Sequence, residues 1–256
     1  MLILSPSKGQ DFDHPAPTDR YSTPDFLEHS LELIKLLRDY SCAELRELMQ
    51  ISEKIALLNQ QRYADFSLPF SPGNAKQALY AFSGDVYRPL ERADYSVADL
   101  DFAQTQLRIL SGLYGCLRPL DLIQPYRLEM KTRLANGRGR NLYAFWGRRV
   151  AEAINQAGRA TDARVLFNLA SNEYSRVIPK KELELPMVDI LFQEQQGDQL
   201  KTISVYAKRA RGLMADYIIR NRITTLKGVE GFSAEGYSFA PTLSSPARYL
   251  FTRPKP

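Results

Sequence analysis

The forty residues from Leu107 to Trp146, LRILSGLYGCLRPLDLIQPYRLEMKTRLANGRGRNLYAFW, hold the chain's densest set of groups able to bind or transform an anion. From Arg108 to Arg149, nine Lys and Arg face two acids, Asp121 and Glu129. A patch of one sign repels itself and is tolerated where something anionic binds, phosphate above all. Tyr114, Tyr126, Tyr143, Phe145 and Trp146 interleave with these cations. Such aromatics stack on exposed bases or hold guanidinium groups by cation–π contact, or else pack the core, the reading favoured for Phe145 and Trp146. Glu129 stands alone among Arg127, Lys131 and Arg133. It is either an ion-pair partner that orients an arginine or a general base. Lys8, in Ser5-Pro6-Ser7-Lys8, and Glu173, in NLASNEY (168–174), complete the catalytic candidates.

The charge map extends this pattern. Residues 1–100 carry ten Lys/Arg and fifteen Asp/Glu, whereas residues 101–256 carry twenty-four and fourteen. The whole chain has a formal charge of +5. Asymmetry of this kind fits a polyanion surface in the later part, although a solvated basic face without a partner has the same signature. The two histidines, His14 and His29, lie in the acidic part, and Cys42 and Cys116 are far apart. A histidine metal site or a Ser-His-Asp triad is therefore not expected, nor is any cofactor. Chemistry is left to Lys, Arg, Tyr, Glu, Asn and Ser. The start, MLILSPSKG, lacks the apolar run of a signal peptide. No window approaches the roughly 18 apolar residues of a membrane span. The expected location is the cytoplasm, with reduced thiols and no membrane partner.

No linker, low-complexity tract or repeat divides the 256 residues. Met1–Leu4 reads as a strand stopped by Ser5-Pro6. Thr23-Pro24-Asp25 starts a helix, Ser41 with Glu44 forms a capping box for a helix to Met49, and Ser52 caps another. Ser71-Pro72 opens a helix ending near Phe82, and Asp85–Leu90 is extended. Asp99–Leu110 is helical and stops at Ser111-Gly112. Asn141–Gln156 is a second helix, and Ala163–Leu169 a buried strand. Met187–Gln193 and Leu200–Tyr206 are strands around Gly197, Ala207–Arg222 is an amphipathic helix, and Gly236–Phe239 and Tyr249–Thr252 close the chain as strands. The sum is a mixed α/β or α+β domain.

A helix, Ser111-Gly112-Leu113-Tyr114-Gly115 and then Leu117-Arg118-Pro119-Leu120 has the pattern of a helix–hairpin–helix, whose glycines let backbone N–H groups approach a phosphate. Its Gly-x-x-Gly spacing is one residue longer than the common form, and an ordinary Gly-terminated helix is the alternative. Lys208, Arg209 and Arg211 sit at the start of their helix, the wrong end for cations if only the dipole mattered. An outside anion or an internal carboxylate must compensate them.

LRILSGLYGCLRPLDLIQPYRLEM, LYAFWG, NLASNEY, YAKRARGLM and the opening LILSPSK resemble the bacterial YaaA family (UPF0246), tied to peroxide stress. The resemblance spans essentially the whole chain. It implies a cytosolic protein that limits unincorporated iron and oxidative damage during hydrogen peroxide stress. It also implies DNA binding by a single mixed α/β domain of unusual topology, with a helix–hairpin–helix and a basic cleft. Carried over by position, the hairpin falls on Ser111, Gly112, Leu113, Tyr114 and Gly115. The cleft takes Lys8, Arg118, Arg127, Lys208 and Arg211, with Glu129, Asn168 and Glu173 as polar partners. The basic GRGRN at Gly137–Asn141 is a departure from relatives.

Three functions follow. The leading one is a DNA-binding protein with little sequence preference, taking double-stranded DNA, including distorted or mismatched duplex. Its contacts are Arg108, Ser111, Gly112, Tyr114, Gly115, Arg118, Arg127, Lys131, Arg133, Lys208, Arg209 and Arg211. The second is a lyase or glycosylase acting on a nucleobase or nucleotide, with Lys8, Glu129 and Glu173 as catalytic candidates. The third, direct iron handling, is opposed by the scarcity of ligands.

Overall fold

Strand-forming runs along the chain meet in one mixed sheet. The computed structural model describes residues 1–256. Eight strands take part: Leu2–Leu4 (β1), Leu107–Ser111 (β2), Gly115–Leu117 (β3), Leu166–Asn168 (β4), Met187–Gln196 (β5), Gln199–Lys201 (β6), Ser238–Phe239 (β7) and Arg248–Pro254 (β8). Their order is β7-β8-β5-β4-β1-β2-β3, with β6 paired to β5. The inner run β8-β5-β4-β1-β2 is parallel, and β3, β6 and β7 join antiparallel. Parallel strands must be covered on both faces, and Leu2–Leu4 and Leu166–Asn168 are buried throughout.

The topology fixes where a ligand can sit. From β1 the chain moves to β2 and β3 on one side; it then crosses back to β4 on the other side and continues outward to β5 and β8. Adjacent strands β1 and β4 thus lead away in opposite directions. Their carboxyl ends flank a crevice of the kind in which open α/β sheets bind ligands.

The helices follow their sequence signals where those are local. Ser41 accepts from the Glu44 N–H in a complete capping box for Cys42–Met49, and Ser52 accepts from the Ile55 N–H to cap Glu53–Asp65. Ser96 with Asp99 forms a further box for Val97–Gln106. Elsewhere tertiary context wins. The expected Asp99–Leu110 helix ends at Gln106, and Leu107–Ser111 turns into β2 because it pairs in register with β1. Asn141–Gln156 is broken at Gly147 into Leu142–Trp146 and Arg149–Ala160. Leu200–Tyr206 is strand only to Lys201, and the helix Ser204–Arg220 begins inside it. From Ser71 to Phe82 only Ala78–Ala81 is helical, and residues 85–89 are turns rather than extended chain.

The largest correction concerns the hairpin. No helix–hairpin–helix forms here: Ser111–Gly115 is the turn of a β-hairpin between β2 and β3. Ser111, Leu113 and Tyr114 are wholly buried. The Ser111 hydroxyl accepts from the Tyr114 N–H at 3.0 Å and lies 2.7 Å from the Tyr126 hydroxyl. The Gly112 carbonyl accepts from Trp146 Nε1 at 3.0 Å. Residues 111–115 are all buried, so this turn faces the core rather than solvent, and Ser111, Gly112, Tyr114 and Gly115 serve packing.

Candidate functional site

The site is built on the loops that leave β1 and β4. Pro6 holds the chain after Leu4 extended. There the Ser5 Oγ accepts from the Ser171 N–H at 2.9 Å and lies 3.3 Å from the Ser171 Oγ, tying the two loops together. The Tyr87 hydroxyl donates to the Ser5 carbonyl at 2.9 Å. The turn at Gly84 closes another wall. Gly84 has φ +116°, and a Cβ there would meet the Ser7 Oγ at 2.7 Å, so only glycine lets this turn approach. The helix Ser204–Arg220 adds Lys208 and Arg211. The result is a cleft of about 410 Å³ at the β1–β4 switch point.

Five residues singled out in the sequence converge on it: Lys8, Glu129, Glu173, Lys208 and Arg211. Glu129 is nearly buried and receives Lys8 Nζ at 3.3 Å and Arg127 Nη2 at 2.9 Å. It is therefore both the partner that orients Arg127 and a carboxylate beside an amine. Glu173 accepts from the Lys131 N–H at 3.3 Å and forms no ion pair. Lys131 itself is exposed.

The cations near the start of the helix divide in two. Arg209 finds an internal carboxylate, Glu235, at 2.6 Å. Lys208 and Arg211 find none, and the Arg211 Nε is buried with no hydrogen-bond partner. Burial pushes the Arg211 guanidinium below its ordinary value. An unpaired buried donor is costly, and Arg211 borders the cleft with no carboxylate paired to it.

The remaining predicted contacts lie elsewhere. Arg108 and Arg118 border a larger cleft of about 590 Å³ with Arg149 and Arg159. Its cations are mostly spent. Arg118 pairs with Asp25 and Asp121, both at 3.0 Å, and Arg159 with Glu184. Arg108 Nη1 donates to the carbonyls of Gln104, Thr105 and Leu107, closing the end of Val97–Gln106. Arg133 is exposed and lines neither cleft. The larger cleft has paired cations, whereas the cleft at the switch point keeps Lys208 and Arg211 unpaired. Sequence reasoning misses the Gly84–Val86 wall, for which the Ser83-Gly84 turn dipeptide is the available signal.

The larger cleft also holds Cys116, whose thiol is pushed up to about 12 by burial. Only the thiolate reacts readily with peroxide. Native protein exposed to hydrogen peroxide, then unfolded and alkylated, is expected to yield Cys116 as free thiol by mass spectrometry. Sulfenic or sulfinic acid at Cys116 would contradict this.

Fold and cleft together define a single α/β domain with a ligand-sized polar crevice at the switch point of a mixed sheet. The chain matches the family described as Peroxide stress protein YaaA over residues 1–243. UPF0246 proteins of Burkholderia cenocepacia, Burkholderia lata and Burkholderia vietnamiensis are each 49% identical to it over 255 residues, covering 99% of this chain and 98% of theirs. The chain belongs to the YaaA peroxide stress family. No helix is long and apolar enough to cross a membrane.

Proposed function

We propose that this protein binds DNA in the peroxide-stress response, with little sequence preference, through the switch-point cleft. The observation that carries the reading is the pair Lys208 and Arg211, two cations without carboxylate partners beside Lys8 in one cleft. Duplex DNA is the partner, with distorted or mismatched sites favoured because a base already out of the stack costs less to capture. Binding runs on counterion release, the arginine and lysine groups replacing cations condensed on phosphate. The correction to the hairpin moves the contact surface from Ser111–Gly115 to this cleft. No group of three or more His, Cys, Asp or Glu is arranged to hold a metal ion, so no iron ligands are assigned.

Fluorescence anisotropy of labelled duplex, single-stranded and mismatched DNA across a salt series tests this. The wild type should lose affinity steeply as salt rises. The Lys208→Ala/Arg211→Ala variant should bind more weakly and show a log–log slope smaller by about 2, one for each phosphate no longer neutralised. Arg164→Ala, which removes an exposed ion pair with Asp162, should behave as wild type. Salt-independent binding, or binding untouched by the double variant, ends the proposal.

One observation favours a second reading, lyase or glycosylase turnover of a nucleobase or nucleotide. Glu129 and Lys8 place a shielded carboxylate 3.3 Å from an amine inside a ligand-sized cleft, the elements of proton transfer or amine catalysis. If Glu129→Gln and Lys8→Ala leave every nucleotide turnover intact, that reading is lost.

A further inference from the structure

We propose that the switch-point cleft takes a single unpaired guanine nucleotide, its phosphate held by Lys208 and Arg211 and its N–H edge by Glu173. The inference rests on the DNA reading for the source of the nucleotide and adds which part of DNA enters. At about 410 Å³ the cleft is at the small end of single-ligand sites, so it admits one nucleotide unit displaced from a duplex whose body lies across its mouth.

Its two kinds of unpaired charge lie on different elements. Lys208 and Arg211 are three residues apart on Ser204–Arg220 and so share a helix face. A planar guanidinium beside an ammonium is the pairing that suits a tetrahedral phosphate oxyanion. The buried Arg211 Nε is the donor still lacking an acceptor.

Glu173 belongs to the turn that follows β4. Its carboxylate accepts one backbone N–H and meets no cation, whereas Glu129 is already neutralised by Lys8 and Arg127. A carboxylate is an acceptor only, so the ligand end that reaches Glu173 must donate. Guanine presents two adjacent donors, N1–H and N2–H, which match the two oxygens of one carboxylate. Adenine and cytosine set a ring nitrogen acceptor beside their amino group, and thymine sets carbonyls on either side of a single N–H. Each of these places an acceptor against a carboxylate oxygen. A site built to receive two N–H groups discriminates strongly against ligands that lack one.

Isothermal titration calorimetry on the full chain, with dGMP, dAMP, dCMP, dTMP and inorganic phosphate, tests the assignment. The expected result is binding of dGMP about tenfold or more tighter than the other three, as one charge-assisted hydrogen bond implies. Lys208→Ala, at an exposed position that does not endanger folding, should weaken all four nucleotides by a similar factor. Glu173→Gln should erase the guanine preference while phosphate-driven binding persists. Equal binding of all four nucleotides, phosphate binding alone, or no binding at millimolar concentration overturns the inference. A duplex with one bulged guanine, compared with one bulged thymine, tests DNA as the source. Duplex affinity without dGMP affinity removes this inference and spares the DNA reading. Affinity for dGMP without affinity for either bulged duplex removes the DNA reading and leaves a free-nucleotide site.

Discussion

Gly112→Ala is expected to lower stability by about 3 kcal/mol, at the upper end of overpacking costs, which for a chain of this size is a fall in Tm of about 6–12 °C. A Cβ at Gly112 would lie 2.2 Å from the Leu128 carbonyl oxygen and 3.0 Å from its carbon. Both are backbone atoms, so no rotamer change relieves the clash. The Gly112 carbonyl also anchors Trp146, which is fully buried, and the displacement would travel into the packing between the hairpin and Leu142–Trp146. On the DNA-binding proposal, the folded variant below its transition should match the wild type in affinity and salt slope. The opposite pattern, unchanged Tm with weakened DNA binding, would mean that the hairpin touches phosphate after all.

Arg253→Ala is expected to cost about 3–5 kcal/mol, the range for removing one partner of a buried ion pair. Arg253 on β8 and Glu194 on β5 are register partners in the parallel ladder. Glu194 is fully buried, and Arg253 Nε lies 3.6 Å from its Oε1. The Tyr237 hydroxyl donates to the same oxygen, and the Ile203 N–H donates to Oε2 at 3.3 Å. Burial, with Glu194 next to it, pushes the Tyr237 hydroxyl above its ordinary value, so the phenol stays a donor. Arg253 also lies over the rings of Tyr206 and Tyr237, at 5.0 and 4.4 Å from their centroids. Without the guanidinium, a carboxylate remains buried with two neutral donors. Chemical denaturation of Arg253→Ala, and of Glu194→Gln/Arg253→Met, checks the cause. The double variant should recover part of the loss, because it removes the stranded charge as well. Equal losses would show that the aromatic stacking, rather than the charge, held this edge of the sheet.

Structure was legible in the sequence to the extent that its causes are local. The capping box at Ser41/Glu44 and the Ser52 cap act within one turn of helix, and both form as their spacing requires. The buried run around Leu166–Asn168 and the closing strands near Phe239 and Tyr249 were readable for the same reason: apolar, β-prone residues between turn signals. Leu107–Ser111 was not. Its residues continue the helical spacing of Val97–Gln106, and what makes it a strand is hydrogen bonding to Leu2–Leu4, more than a hundred residues earlier. Once it is a strand, Ser111–Gly115 must be a β-turn, and the phosphate loop suggested by its glycines disappears into the core.

The sequence by itself determined the class of this protein: a mixed α/β chain with its positive charge in the later part, few metal ligands, and a set of Lys, Arg and Glu able to meet an anion. Those are properties of composition and short spacing, which do not depend on how distant segments meet. Tertiary structure decided which charges remain available. Arg118, Arg127 and Arg209 look alike along the chain as candidate contacts, yet each is neutralised by a carboxylate, respectively Asp121, Glu129 and Glu235. Lys208 and Arg211 are not, and the crossover that sets β4 beside β1 brings Lys8, Glu129 and Glu173 to them. Coulomb interactions act through space over a few ångströms, so the chain can state how many charges it has but only the fold can cancel them in pairs.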